Sequence, residues 1–94
     1  MINEEDITSW ADIFKALGHP TRLSIVIGLI EHNECNVNKM VENLGLSQSN
    51  ISQHLALLRR VGIVKCEKKA QVVCYRVENA AVREIIKKIC KLGL

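Results

Sequence analysis

Ser47-Gln48-Ser49-Asn50-Ile51-Ser52-Gln53-His54-Leu55-Ala56-Leu57-Leu58-Arg59-Arg60 decides how the rest of this 94-residue chain is read. Placed on a helix, Ile51, Leu55 and Leu58 recur at i, i+4 and i+7 and form one apolar stripe. Ser49, Ser52, Gln53, Ala56, Arg59 and Arg60 fall on the other side. Solvated helix faces are usually rich in charge. This one begins with short uncharged hydrogen-bonding groups and ends in two arginines. Ser, Gln and Asn exchange hydrogen bonds with base edges and phosphates, and Ala56 keeps the middle of the face low. A helix lying close in a major groove has these properties. An ordinary amphipathic surface helix shares some of them, so the neighbouring segments have to decide.

Immediately before it, Val37, Met40, Val41 and Leu44 repeat at i, i+3, i+4 and i+7, which predicts a short helix capped by Asn36. Gly45 stops that helix, only Leu46 intervenes, and Ser47 is a good N-cap for the next one. Two helices joined by so brief a glycine-containing turn, the second bearing the polar face, form a helix-turn-helix. After Gly62 the period changes. Residues 63–67 and 72–77 are β-branched and aromatic-rich, with Lys68-Lys69-Ala70-Gln71 between them, which predicts a hairpin with a basic tip. No Asn-Gly or Asp-Gly pair sets the turn, so the register stays open by one residue. A basic hairpin directly after a candidate recognition helix has the form of a wing, with Lys68 and Lys69 placed for phosphates or a minor groove. The plainer reading is an edge hairpin kept from aggregating by its lysines.

Charge divides at the same point. Residues 1–46 carry three basic and seven acidic groups, a net −4, whereas residues 47–94 carry ten basic and three acidic groups, a net +7. Such a split is the electrostatic footprint of a polyanion-binding half.

Farther out, residues 4–17 read as a helix with Trp10, Ile13, Phe14 and Leu17 on one stripe and Glu4, Glu5 and Asp6 in its first turn. Gly18 is expected to end it in the left-handed conformation. Pro20 opens a second, central helix striped by Leu23, Val26, Ile27 and Ile30 and widened by Ile25 and Leu29, in which Gly28 is expected to permit close packing. Asn79 caps a last helix striped by Val82, Ile85, Ile86 and Ile89. The apolar bands of the two terminal helices suit packing against a second copy. No run of eighteen apolar residues provides a membrane span, and the acidic N-terminus lacks the apolar core of a signal peptide, so a cytoplasmic location without membrane contact is expected. Cys35, Cys66, Cys74 and Cys90 include no Cys-x-x-Cys pair, and in a reducing compartment they need not form disulfides. Cys66 and Cys74 face each other or point to opposite sides, depending on register. No Ser-His-acid pattern, phosphate-cradling glycine loop or paired carboxylates appear, so an enzyme has nothing to stand on.

The chain resembles the ArsR/SmtB group of bacterial winged-helix repressors. Ala16-Leu17-Gly18-His19-Pro20-Thr21-Arg22-Leu23 resembles that family's opening of the second helix. Leu46 to Leu55 resembles its recognition-helix signature, and Leu58-Arg59-Arg60-Val61-Gly62-Ile63-Val64 followed by Tyr75-Arg76-Val77 resembles its passage into the wing. The resemblance covers nearly the whole chain. It implies a mainly α fold with a β-hairpin wing, in the order α-α-α-α-β-β-α, as one domain over residues 1–94. It also implies a homodimer formed through the first and last helices, two recognition helices in successive major grooves of a pseudo-palindromic operator, and release by an inducer.

The expected DNA contacts are Gln48, Ser49, Ser52, Gln53 and His54 for sequence and Arg59, Arg60, Lys65, Lys68 and Lys69 for phosphates, with Ser47, Asn50 and Gln71 beside them. The family often has His-Gln where this chain has Gln53-His54, and one of Arg59 and Arg60 can turn toward the hairpin. His19 is expected to be structural and His32 to be a solvated connector residue. The metal sites of the family do not transfer. Asn36 and Asn38 occupy the Cys-x-Cys positions, no histidine follows His54, and no metal or other cofactor is expected. Cys35 and Cys90 are the candidates for a thiol switch answering a persulfide or redox inducer, and the alternative for each cysteine is a small buried hydrophobe. An arsenite or thiophilic-metal sensor with a non-standard cysteine site is a rival reading, and a winged-helix protein-interaction module is another.

Overall fold

The computed structural model describes residues 2–32 and 37–93. Its order is α1 (Glu4–Leu17), α2 (Pro20–Glu31), α3 (Val37–Leu44), α4 (Gln48–Arg60), β1 (Val64–Lys69), β2 (Val72–Val77) and α5 (Ala80–Lys91), the winged helix-turn-helix order expected from the periodicities. The Asn36 cap of α3 and Cys35 lie outside the described residues.

Each well-defined helix start has a local acceptor. Asn3 and Asp6 close a capping box on α1, Oδ1 of Asn3 accepting from the Asp6 N–H at 2.8 Å. Pro20 sits in the first turn of α2 and Nδ1 of His19 accepts from the Thr21 N–H at 3.1 Å, so a histidine acts as the N-cap. Ser47 caps α4 through the Asn50 N–H and Asn79 caps α5 through the Val82 N–H, both at 3.1 Å. α1 and α2 meet at 95° across the Gly18–His19 break. No single helix among the described residues is long and apolar enough to cross a membrane.

The core gathers one face of every element. Ile13, Ala16 and Leu17 come from α1, Ile25, Val26 and Leu29 from α2, Met40 from α3, and Val82 and Ile86 from α5. Ile51, Leu55 and Leu58 of α4 are fully buried. Burial of side chains this size stabilises by about 1.5–3 kcal/mol each. Ile63, also fully buried, ties the wing in. Its N–H donates to the Leu58 carbonyl at 3.0 Å, and its carbonyl accepts from the Glu78 N–H at 3.0 Å. The end of α4, the base of the hairpin and the approach to α5 therefore share one residue.

Four expectations need correction. Gly18 has φ −77°, so it leaves α1 without entering the left-handed region. That conformation belongs instead to Gly45 (φ 67°), in the turn before α4, and to Gly62 (φ 84°), in the turn after it. Gly28 does not mediate close packing, because a methyl group there would meet no atom within 4 Å. The stripe through Trp10, Ile13, Phe14 and Leu17 splits: Ile13 and Leu17 enter the core, while Phe14 stays 54% exposed beside Trp10, ring centroids 5.6 Å apart. The hairpin is longer and tighter than its sequence suggests. Val64 pairs with Val77 and Lys69 with Val72, so Lys68 and Lys69 belong to β1 and the loop is only Ala70-Gln71. Ala70 takes φ 55° at the first loop position, where Gly or Asn is the usual occupant.

Two substitutions test this packing in urea denaturation. Gly28→Ala should stabilise by about 1 kcal/mol, the helix-propensity difference with no steric penalty. Leu55→Ala should destabilise by about 2–5 kcal/mol.

Candidate nucleic-acid interface

The buried stripe of α4 leaves a defined exterior. Gln48, Ser49, Asn50, Ser52, Gln53, Ala56, Arg59 and Arg60 are exposed. With 100° between successive residues, Gln48, Ser49, Ser52, Gln53, Ala56, Arg59 and Arg60 share one side of the helix, opposite Ile51 and Leu58. The first two turns carry no charged side chain, so hydrogen bonding rather than point charge dominates there. Ser47 spends its hydroxyl on the N-cap and Asn50 lends its backbone N–H to it. The arginines come in the last turn, where the helix dipole favours cations.

Arg59 and Arg60 leave the face in different directions. The Arg59 charge acts on Tyr75 of β2, which places Arg59 on the wing side. Burial raises the Tyr75 hydroxyl pKa, as do its cross-strand neighbour Cys66 and the hydrogen bond between them, while Arg59 opposes the rise. Arg60 lines a cleft of about 300 Å³ with Asp12, Lys15, Ala16, Arg22, Leu57 and Val61, on the α1 side.

The wing cations are not equivalent. Lys65 pairs with Glu78 at 3.7 Å, and Arg76 pairs with Glu67 across the strands. Lys68 and Lys69 are exposed and form no ion pair among the described residues. Gln71 is exposed in the loop between the strands. Lys68 stands opposite Val73 and Lys69 opposite Val72, and both valines are themselves exposed. The tip of the hairpin thus presents free cations beside small apolar groups.

His54 and Gln53 separate. Gln53 is exposed, whereas His54 is half-buried behind α4 with its ring centroid 4.7 Å from that of His19. Its Nδ1 lies 3.4 Å from Nη1 of Arg22, whose Nε donates to the Ala16 carbonyl at 2.7 Å. Burial first, then His19 and Arg22, hold the His54 imidazole below its ordinary pKa. Sequence patterning does not reveal this cluster, which joins α1, α2 and α4. The available signal was the dipeptide His19-Pro20: the residue before a Pro in the first turn is the N-cap, and an imidazole nitrogen can accept there.

The cysteines do not converge among the described residues. Cys66 is opposite Tyr75 and Cys74 opposite Glu67, so the two thiols occupy opposite faces of the hairpin. Cys35 lies outside the described residues. Cys90 is beside Glu31 at the end of α2. A hydrogen bond to that carboxylate, with burial and the Glu31 charge adding to it, pushes the thiol pKa up. A reactive thiol needs the opposite shift. No group of three or more His, Cys, Asp or Glu side chains among the described residues is arranged to hold a metal ion.

One more face is apolar and exposed. Ile2, Ile7, Trp10, Ala11 and Phe14 line an apolar groove with Ala81 and Ile85 of α5, and Ile2, Ile7 and Phe14 are more than half exposed.

Comparison with known proteins adds to this geometry. Residues 19–65 match the family described as bacterial regulatory protein, arsR family. A protein of Methanocaldococcus jannaschii named as an HTH-type transcriptional regulator is 42% identical over 82 residues, spanning 87% of this chain and 92% of that protein. The solved structure of HlyU from Vibrio cholerae superposes with a TM-score of 0.88 at 36% identity, covering 97% of this chain and 98% of that one. The transcriptional repressor PagR of Bacillus anthracis superposes with a TM-score of 0.85 at 32% identity, covering 93% and 99%.

The Cys90 environment makes a direct prediction. Iodoacetamide should alkylate Cys90 at pH 7.5 at least about threefold more slowly in the folded protein than in urea, followed by peptide mass spectrometry, because its thiolate fraction is reduced. Faster labelling in the folded state would mark an activated thiolate and restore the switch.

Proposed function

This chain belongs to the ArsR family of bacterial regulatory proteins, and from that premise we propose that it is a homodimeric repressor that reads DNA with the exposed face of α4. Membership makes it a DNA-binding transcriptional regulator and not an enzyme. In the proposed complex Gln48, Ser49, Ser52 and Gln53 approach base edges in the major groove. Arg59 and Arg60 straddle that face and meet phosphates on either side. Lys68 and Lys69 of the wing meet the flanking backbone, with Gln71 at the loop, while Lys65 is diverted to Glu78. The observation that carries the reading is the uncharged, hydrogen-bonding start of α4 bounded by these cations. Phosphate contacts position a protein on DNA and base contacts specify the sequence, and the two kinds of group are segregated here in that way.

Dimerisation is proposed through the apolar groove of α1 and α5. Ile2, Ile7, Phe14 and Ile85 would bury their exposed surface against the same residues of a second copy, a self-complementary arrangement typical of two-fold dimers. Two α4 helices related by such an axis suit a pseudo-palindromic operator. The raised thiol pKa at Cys90 gives no support to a persulfide or redox inducer acting there.

Fluorescence anisotropy on a duplex selected by the protein from a random library tests the division of labour. Lys68→Ala with Lys69→Ala should weaken binding to all sequences, and should flatten the plot of log affinity against log salt by about 0.9 for each phosphate that is no longer neutralised. Gln48→Ala should cost about 1–3 kcal/mol on the selected sequence alone and leave the salt slope unchanged. An unchanged slope in the double lysine variant contradicts the wing assignment.

A further inference from the structure

His19, Arg22 and His54 form a cluster that the proposed reading of DNA does not use, and its hydrogen bonds specify a protonation state. Nδ1 of His19 accepts the Thr21 N–H at 3.1 Å, so in the neutral ring the proton sits on Nε2. Nδ1 of His54 lies 3.4 Å from Nη1 of Arg22, a nitrogen that only donates, so His54 too is the Nε2–H tautomer. Protonation of His54 adds a hydrogen at its Nδ1, where it would point at the Arg22 guanidinium and set a second positive charge against that of the arginine across the α2–α4 contact.

Among the described residues no acidic group compensates. The titratable and charged groups that act on His54 are His19, from the α1–α2 junction, and Arg22, from α2. Arg22 also borders the cleft lined by Asp12 and Lys15 of α1 and Arg60 of α4, where cations outnumber the one acid. No carboxylate among the described residues pairs with either ring. Arg22 itself is tethered by the 2.7 Å bond from Nε to the Ala16 carbonyl, so it has little freedom to retreat.

We propose that the contact of His54 with His19 and Arg22 positions α4 for DNA only while the His54 imidazole is neutral, so that mild acid releases the protein from its operator. The proposal rests on α4 being the DNA-reading helix. His54 has a folded-state pKa below its unfolded value of 6.5, so the folded protein binds fewer protons than the unfolded chain. Stability from this cluster is therefore complete above that value and is lost as pH falls through it toward the folded-state pKa. DNA binding should follow, with affinity falling up to about tenfold per pH unit once His54 titrates. This sign is opposite to ordinary polyanion electrostatics, in which added protons tighten binding.

The test is DNA affinity from pH 7.5 to 5.5 at constant ionic strength, on a duplex selected from a random library by the wild-type protein at pH 7.5. His54→Asn retains an acceptor near the Nδ1 position but does not titrate, and His54→Gln is a second non-titrating variant. His32→Asn, at an exposed residue in contact with Glu31, is the control. Wild type and His32→Asn should lose severalfold, up to about tenfold, whereas the loss for His54→Asn, measured against its own affinity at pH 7.5, should be at least about threefold smaller. His54→Gln should show the same reduced loss and stands in if His54→Asn does not fold. Urea midpoints over the same pH range, without DNA, should fall more steeply for wild type than for His54→Asn. Affinity that holds or rises in acid, or non-titrating variants that follow wild type, overturns the proposal. A wild type that selects no sequence at pH 7.5 overturns the DNA reading itself, and the urea midpoints then judge the cluster alone.

Discussion

Everything on the outside of α4 depends on the burial of its inside. Ile51, Leu55 and Leu58 are fully enclosed by the core, and rotating α4 to expose any of them would forfeit several kcal/mol of apolar burial. The rotation of the helix about its axis is thereby fixed, and with it the identity of the residues facing outward. Gln48, Ser49, Ser52 and Gln53 are presented because three apolar neighbours cannot be. The Ser47 cap and the left-handed Gly45 set where the helix begins, and the Gly62 turn sets where the chain leaves it for the wing.

The wing is held to the same frame by backbone rather than by side-chain charge. Ile63, just before β1, donates its N–H to Leu58 and accepts one from Glu78. The hairpin base, the end of α4 and the approach to α5 are thus joined through one residue. At the tip Lys68, Lys69, Val72 and Val73 are exposed. A hydrogen-bonded base with a basic tip sets where the wing stands relative to α4. Behind α4, the Arg22 bridge between the Ala16 carbonyl and His54 supplies a second attachment, to the junction of α1 and α2.

Most of the fold was legible because it is written in local periodicity. The limits of the helices follow from apolar spacing, from Pro20, and from the caps Ser47 and Asn79. What escaped depends on contacts between elements. Gly28 has helix-breaking propensity in any sequence, but only the packed structure says that its open side faces no neighbour. Whether Lys68 and Lys69 are strand or loop turns on Ala70 accepting φ 55°, a conformation that its side chain argues against. That same register decides that Cys66 and Cys74 lie on opposite faces. In the candidate site the polar face of α4 could be read from sequence, whereas the directions of Arg59 and Arg60 and the retreat of His54 toward His19 and Arg22 could not. Those depend on residues distant along the chain, or on the other strand of the wing.

The central claim is that the exposed face of α4 and the tip of the wing together form the DNA-reading surface. The most direct measurement is an NMR titration of the labelled protein with a duplex that it has selected. The account predicts that the largest changes fall on the side-chain amides of Gln48 and Gln53, the backbone of Ser49 and Ser52, and residues 68–71, with Ile51, Leu55 and Leu58 little affected. Changes centred instead on Ile7, Phe14 and Ile85, with the α4 amides unmoved, would contradict it.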